Sequence, residues 1–334
     1  MRRIMFLVLM LNVFFLSGES LSELPIDKWP RDRRIDKQVK RLAKKIEFHC
    51  KLVKGDYGAF GWDIVGVKLL YKLGEIVRNN PQKGIPSVYD IAMDRGRDRL
   101  LRGLMWEGLL DLEEEACVKA ACKFILDKSE DEILRARVIE LLGGTKDTSA
   151  TPYLIQVMED KSNPDRVRWC AIRSLGEIRD ERAIPHLWGI LEGNDTEDIR
   201  AITAMSLGCM GSKIREEADR LIKLYRNEES GLVKDKLIWA MISTKDKKVI
   251  PILLENKRKP IAIEGLRVIG GREGKEALLQ LLKDEDESIR FFAAKAIIKT
   301  GDKEAISEVE RSLERFSSGH REVIGKALKE AKKE

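Results

Sequence analysis

Histidine side chains come first in a search for chemistry, because imidazole acts as a general base and as a metal ligand near neutral pH. The chain has three: His49, His186 and His320, far apart in the sequence. No two have the spacing of a metal site on one helix, and none is followed directly by Glu. Isolated Ser and Asp residues form no recognisable catalytic motif with them. We therefore predict no catalytic residue, no metal site and no cofactor.

The cysteines also indicate no catalytic or metal-binding site. The five cysteines are Cys50, Cys117, Cys122, Cys170 and Cys209. The second and third are five residues apart in a segment of helical pattern, so they point to different faces. An odd number without paired spacing indicates small buried apolar side chains, not a disulfide framework or a metal site.

Residues 163–193 form the unit around which most of the chain is organised. Asn163 and Pro164 precede an apolar-periodic run, as at a helix start. Apolar residues then recur at spacings of three and four, which places them on one helix face. Asp180 precedes a second such run with Pro185 in its first turns. The pattern predicts two short amphipathic helices, neither of which can bury its apolar face alone.

Imperfect copies of this unit recur at spacings of 28 to 34 residues. Each has an anchor residue, and in the best copies a Leu-Gly pair follows seven and eight residues later. The clearest anchors are Arg135, Arg168 and Arg200, with weaker matches at Arg102, Lys234, Ala262 and Arg290. An Asp twelve residues after the anchor is predicted to begin the second helix, at Asp147, Asp180, Asp246 and Asp302. Two helices per period predict an all-α fold, an α-solenoid or superhelix of stacked antiparallel helix pairs.

The stretch VRWCAIRSLGEIRDERAIPHL at 167–187 resembles the short HEAT-like repeats of the phycobilisome-lyase type, and the resemblance covers residues 101–316. It implies packing and capping roles for the repeat residues, with second helices on the concave side. Such repeats serve many functions, so the resemblance is informative about fold and not about activity. The His-Glu pairs of the iron-dependent hydroxylases built on these repeats are absent from the sequence.

Charge is concentrated near the N-terminus. The chain has 62 Lys and Arg against 56 Asp and Glu, a net charge of +6. The segment from Lys28 to Lys54 contains eleven basic residues and only three acidic ones. The remaining chain is therefore almost neutral, which argues against nucleic acid as a ligand of the repeats. This near-neutral charge also argues that the repeats lack the basic groove that HEAT-like DNA glycosylases use.

Residues 1–20 have the pattern of a secretory signal peptide. Arg2 and Arg3 precede an apolar run at 4–16, and small residues predict cleavage near Ser20. The run is shorter than the roughly 20 residues that span a bilayer, so a retained anchor is the less favoured interpretation. We expect an exported, bacterial-type protein that is periplasmic or extracellular, although unpaired cysteines are unusual in an oxidising compartment.

Residues 33–53 predict a basic amphipathic helix. We favour a cap that covers the first repeat with its apolar face, since terminal solenoid units need a polar outer surface. Contact with anionic lipid or an acidic partner is the alternative.

The whole chain is predicted to divide into five segments. They are a signal peptide (1–20), a linker and N-terminal cap helix (21–61), a divergent first helical repeat (62–100), the HEAT-like array (101–316) and a C-terminal cap helix (317–334). Within the divergent repeat, Pro81 and Pro86 are expected to bound a connection, with a new helix from Ser87.

Aromatic and arginine side chains on the expected inner helices suggest a binding spot, because such groups are frequent anchors of protein interfaces. The candidate residues are Tyr153, His186, Trp188, Arg220 and Tyr225. A second candidate is an apolar stripe on the outer helices, although packing between repeats explains the same residues and is favoured. Its members are Trp169, Met205, Trp239, Ile263 and Phe291.

The favoured function is a non-enzymatic scaffold or adaptor that binds one or more protein partners, as a monomer. The alternative is a lyase-like or enzyme-accessory protein that cradles a protein substrate or a pigment in the concave face. Absence of paired His, Cys or carboxylate motifs weighs against this alternative.

Overall fold

The computed structural model describes residues 25–52 and 64–331. The predicted signal peptide at 1–20 lies outside these ranges. The side chains of His49 and Cys50 also fall outside what the structure describes. The chain divides into two compact units, residues 1–178 and 179–334. All described regular structure is helical.

The first unit contains eight α-helices among its described residues. They are α1 (Arg33–Leu52), α2 (Ile64–Asn79), α3 (Pro81–Met93), α4 (Arg99–Leu110), α5 (Glu115–Leu126), α6 (Glu132–Thr145), α7 (Thr151–Glu159) and α8 (Asp165–Ile178). Helices α4, α6 and α8 are first helices of successive pairs, and each packs on the next. Helices α5 and α7 are the second helices.

The second unit continues the alternation with ten α-helices in its described part. They are α9 (Ile184–Leu191), α10 (Glu197–Cys209), α11 (Ala218–Asn227), α12 (Gly231–Thr244), α13 (Ile250–Glu255), α14 (Pro260–Ile269), α15 (Gly271–Leu281), α16 (Glu287–Thr300), α17 (Lys303–Arg311) and α18 (Ser318–Ala331). Within this unit α10 packs on α12, α12 on α14, α14 on α16 and α16 on α18.

Helix α6 shows how the apolar periodicity becomes a core. Leu134, Val138 and Leu142 recur every four residues, and each is at most 1% exposed. The helix packs against α4 of the preceding pair, α8 of the following pair and the second helix α5. Because each apolar face is covered by neighbouring helices, the stack has no single central core. The predicted fold class, an all-α solenoid of helix pairs, is confirmed.

A recurrent turn connects the first helix of a repeat to the second in four places. A residue with φ between 55° and 72° is followed by Asp; the left-handed residues are Lys146, Arg179, Lys245 and Gly301. The Asp then caps the next helical turn. Asp147 accepts the Ser149 N–H at 2.8 Å, and Asp302 accepts the Ala305 N–H at 2.9 Å. Asp180 and Asp246 accept backbone N–H groups in the same way.

The anchor arginines Arg102, Arg135 and Arg168 are buried and bridge neighbouring repeats. Each donates through Nε to the carbonyl oxygen ten residues earlier, at the end of the preceding second helix. The acceptors are Ala92 at 2.8 Å, Ile125 at 3.0 Å and Met158 at 2.8 Å. These carbonyls have no partner within their own helices, so the guanidinium satisfies groups that would otherwise be buried unpaired.

A second acceptor lies 28 residues after the anchor. Arg102 donates to Glu130 at 2.9 Å, Arg135 donates to Asn163 at 2.9 Å, and Arg200 pairs with Glu228. The anchor therefore links the repeat before it to the loop that starts the repeat after it. Arg290 departs from this pattern, because its nearest acceptors are the carbonyls of Asp284, Glu285 and Arg315.

Glycine in the repeat phrase permits close approach of first helices. A Cβ at Gly143 would lie 2.9 Å from Ser174 Cα, and a Cβ at Gly208 would lie 2.5 Å from Trp239 Cδ1. Only glycine leaves this space without displacing a neighbouring helix or ring.

One local prediction near the N-terminus is wrong. Helix α3 begins at Pro81 and runs through Pro86, where a connection was expected. Packing outweighs the lost N–H bond, because Gly84 brings α3 against Val77 of α2 and Pro86 itself is buried. The described end of the expected extended linker is also packed, with Trp29 only 4% exposed.

Removing an Asp cap should cost a modest amount of stability. Asp147→Ala leaves the Ser149 N–H without its acceptor, and we expect the free energy of unfolding to fall by about 1 kcal/mol in urea titrations. Asp147→Asn keeps a side-chain acceptor and should recover most of the loss. Equal effects of the two substitutions would contradict the capping role.

Removing an anchor arginine should cost more. Arg135→Met leaves the Ile125 carbonyl and the Asn163 amide without their donor in a buried site, and we expect a loss of about 3 kcal/mol. Arg137→Met on the same helix is the matched control. Arg137 is exposed and pairs with Glu107 at 2.9 Å, so its removal should cost less than about 1 kcal/mol. Similar losses for both would refute the bridging role.

Candidate protein-interaction surface

Trp188 and Arg220 are brought together in the second unit. Trp188 lies on α9 and is only 2% exposed, while Arg220 lies on α11, the next second helix. The guanidinium carbon of Arg220 is 4.0 Å from the centre of the indole ring, a cation–π geometry. Trp188 is therefore the buried floor beneath Arg220, and the exposed group at this point is the guanidinium.

Glu192 fixes the Arg220 guanidinium in position. Nε and Nη2 of the arginine donate to the two carboxylate oxygens, each at 2.7 Å. The hydrogen bond from Arg220 lowers the pKa of Glu192 below its ordinary value, so the carboxylate is charged at neutral pH. Both side chains are about two-fifths exposed, so solvent weakens the pair energetically while its bidentate form still fixes geometry. A second carboxylate also faces the guanidinium, because Nη1 of Arg220 lies 3.7 Å from Glu217 Oε2.

Tyr225 makes a separate contact with the following repeat. Asn256, which ends α13, donates to its hydroxyl oxygen at 2.7 Å. Asn256 also donates to the Ile252 carbonyl at 2.8 Å, which holds the amide at the helix end. Arg220 and Tyr225 are five residues apart on α11, so they project about 140° apart. The predicted single spot is thus two contacts, one to each neighbouring repeat.

The other two predicted residues are placed less distinctively. His186 is half-buried on α9, two residues before Trp188. Tyr153 is half-buried on α7 and belongs to the first unit. Asn256 and Glu192 were missed by the sequence reasoning, because nothing in their local pattern distinguishes them from other helix-end polar residues.

Ion pairs between successive second helices neutralise much of the surrounding surface. Lys248 pairs with Asp219 at 2.6 Å, Lys247 with Glu273 at 2.8 Å and Lys275 with Glu304 at 2.7 Å. These exposed pairs contribute little stability. They do leave this part of the surface without a large excess of either charge, which disfavours recognition of a highly charged polymer.

The apolar candidates on the outer helices differ in how far their side chains are exposed to solvent. Ile263 is 1% exposed, and Phe291 stacks on His320 with ring centres 4.2 Å apart. Both therefore serve packing. Trp239 lies over Gly208 but keeps 42% of its surface exposed. Trp169 and Met205 are half-buried.

No group of three or more His, Cys, Asp or Glu side chains within residues 25–52 and 64–331 is placed to hold a metal ion. A shallow cleft of 310 Å³ is lined by Arg215, Lys247 and the turn around Gly270 and Gly271. Two of its lining side chains, Lys247 and Glu273, form an ion pair at 2.8 Å, and the hydrogen bond raises the pKa of Lys247.

Comparison with known protein families gives one match. Residues 120–208 and 258–329 are similar to the model of HEAT repeats. The unmatched segment between them contains the irregular turn Gly211–Glu217, with Ile214 outside helical geometry. Its helices α11 to α13 nevertheless keep the order of a repeat. No curated protein matches the chain.

Three solved structures are similar. The complex of CpcE and CpcF of phycocyanin lyase from Nostoc sp. PCC7120 has 19% identity and a TM-score of 0.44, over 72% of this chain and 97% of that chain. Human deoxyhypusine hydroxylase in complex with glycerol has 15% identity and a TM-score of 0.38, over 79% and 100%. Kap121p bound to Pho4p has 12% identity and a TM-score of 0.55, over 88% of this chain and 37% of that chain. The last similarity shows the helical-repeat fold; the first two scores are too low to support an argument.

The C-terminal helix should be held in a pH-dependent way through Glu287. Its carboxylate accepts the Ser317 N–H at 2.8 Å and contacts His320 Nδ1 at 2.7 Å. These bonds, that of Ser317 first, lower the pKa of Glu287 from 4.5 to about 2. A depressed carboxylate pKa adds stability above the unfolded value, and this is lost as pH falls through the folded value.

Thermal unfolding followed over this pH range tests the contact. The difference in Tm between the native chain and Glu287→Gln should be largest above pH about 4.5 and should shrink as pH approaches about 2. His320→Gln is the control, because Glu287 still accepts the Ser317 N–H there and most of the pH dependence should persist. A difference in Tm that is constant with pH would contradict the assignment.

Proposed function

We propose that this protein is a non-enzymatic scaffold that binds a protein partner through the second helices of its C-terminal unit. The observation that carries the proposal is the position of Arg220, whose guanidinium lies over the buried Trp188 ring and is hydrogen-bonded by Glu192. An arginine held in this way loses little conformational entropy when a partner binds. Arginine and aromatic groups of this kind are enriched among interface residues that dominate binding energy.

The surroundings of Arg220 support a protein ligand over a charged polymer. Neighbouring Lys and Asp or Glu side chains already neutralise one another across repeats, so recognition depends on directed hydrogen bonds and apolar contact. Tyr225 adds a hydroxyl on the same helix, and Asn256 adds an amide on the following repeat. The hydroxyl can donate to a polypeptide carbonyl, and the side-chain oxygen of Asn256 can accept from a polypeptide N–H.

The same proposal includes export, with cleavage of the first twenty residues near Ser20. Its support is the order of basic, apolar and small residues at the N-terminus. N-terminal sequencing of the mature protein from an envelope fraction tests this part separately. Recovery of the intact N-terminus from the cytosol would refute it.

Affinity capture with three forms of the full chain tests the interaction surface. We expect the native chain to recover a defined partner from the envelope fraction, identified by mass spectrometry. The double substitution Arg220→Ala with Tyr225→Ala should reduce its recovery about tenfold or more. Arg272→Ala is the matched control, because Arg272 is an exposed arginine paired with Glu276 at 2.7 Å on α15.

The outcomes separate the site from the function. Recovery of one partner by all three forms would show a scaffold that uses another surface. Absence of any partner, together with turnover of a substrate by the purified protein, would refute the scaffold itself. Circular dichroism of each form checks that the substitutions leave the helices intact.

A further inference from the structure

Helix α1 is fixed in the first unit by its apolar face. Ile35, Val39, Ala43 and Ile46 are at most 7% exposed, and the helix packs on α2, α3 and α4. The apolar face of α1 is therefore buried within the first unit. Helix α1 therefore cannot insert an apolar stripe into another surface, and only its outer face is open to a partner.

Both acidic residues of α1 are turned away from that outer face. Asp36 accepts a hydrogen bond from Ser87 of α3. Glu47 accepts from Arg97 Nη1 at 3.0 Å and from the Asp98 N–H at 3.4 Å. These partners lie in the segments against which α1 packs. The structure has thus separated the charges of this helix, with carboxylates inward and cations outward.

The outer face carries seven exposed cations and no carboxylate. They are Arg33, Arg34, Lys37, Lys40, Arg41, Lys44 and Lys45. None of the seven lies within ion-pair distance of a described carboxylate, although Arg34 interacts electrostatically with Asp32, the residue before the helix. They occupy about 18 Å of helix, where like charges three and four residues apart repel one another. We name this set the α1 cationic face.

Several cations of the second unit are paired instead. On the second helices, Lys248, Lys247 and Lys275 each reach a carboxylate of a neighbouring repeat. The α1 cationic face is therefore a local excess of positive charge that folding leaves uncompensated. An anionic surface would remove the repulsion, so its charge is complementary to this face.

We propose that the α1 cationic face holds the protein against an anionic lipid bilayer. Four of the seven cations are Lys, whose hydrated point charges suit mobile headgroups and need no fixed register. No aromatic side chain is interleaved among them for base stacking, as single-stranded nucleic acid would require. Phe48, 61% exposed one turn beyond Lys45, is an apolar side chain that can enter the headgroup region beside the cations.

Attachment of this kind is peripheral. No helix within the described ranges is both long and apolar enough to cross a membrane. The proposal is independent of the Arg220 surface, which lies in the other unit. Together they would give a scaffold that binds both a membrane and a protein partner.

Vesicle co-sedimentation of the full chain tests the proposal. We expect binding to vesicles of phosphatidylcholine with phosphatidylglycerol, weaker binding at high salt, and little binding to phosphatidylcholine alone. Replacing Lys37, Lys40, Lys44 and Lys45 by Gln should weaken partition to anionic vesicles about tenfold or more. All four are exposed, so the helix should be retained, and relief of their mutual repulsion should leave Tm equal or slightly raised.

A charge-matched control isolates the helix from net charge and from residues 1–20. It replaces Lys123, Lys283, Lys303 and Lys329 by Gln; these are exposed and form no ion pair with a described residue. This form should bind anionic vesicles almost as well as the native chain. Equal partition of the two substituted forms would overturn the proposal. Displacement of the native chain from vesicles by duplex DNA or an acidic protein at equal charge would also overturn it, in favour of that ligand.

Discussion

The stack of repeats depends on buried arginine side chains. In each of several repeats the guanidinium must donate to acceptors that lie outside its own helix pair. Arg135 is the clearest case: its donors reach the Ile125 carbonyl behind it and the Asn163 amide ahead of it. A buried cation without such acceptors would carry a large desolvation cost. Each repeat therefore requires the repeats on both sides, and the arginine fixes their register more directionally than apolar contact can.

The same dependence on neighbours governs the candidate surface. Arg220 is oriented by Trp188 and Glu192 of the preceding repeat, while Tyr225 is oriented by Asn256 of the following one. Residues of one helix are thus positioned by two others. A site of this kind has geometry only when the stack is assembled, since α11 alone would leave both side chains free to rotate.

Burial also lowers the reactivity of three cysteine thiols. Cys117, Cys122 and Cys170 are buried, and desolvation raises the pKa of each thiol to about 12. Oxidation proceeds through the thiolate, which is scarce at that pKa and shielded from solvent. Free thiols in these positions are therefore compatible with the proposed export. Their role in the structure is that of small apolar side chains, as the sequence predicts.

Much of the fold was predictable because repetition reinforces weak local signals. A single helix pair at 163–193 is an ambiguous pattern, but anchors at 28 to 34 residue intervals indicate one architecture. The site was only partly predictable. Trp188 and Arg220 were marked by residue type, whereas Glu192 and Asn256 were not. A polar residue 28 positions after an anchor, as at Glu130 and Glu228, was a signal that sequence reasoning could have used.

The sequence by itself determined the helical period, the anchors and the Asp residues that begin second helices, because these follow from local spacing and capping chemistry. Tertiary structure alone decided which partners the anchors take, that Pro86 continues a helix, and that Trp188 is covered by Arg220. It also decided that both carboxylates of α1 point inward. These outcomes depend on groups distant in sequence that meet only in the packed stack, where desolvation and hydrogen-bond geometry select among the locally possible arrangements.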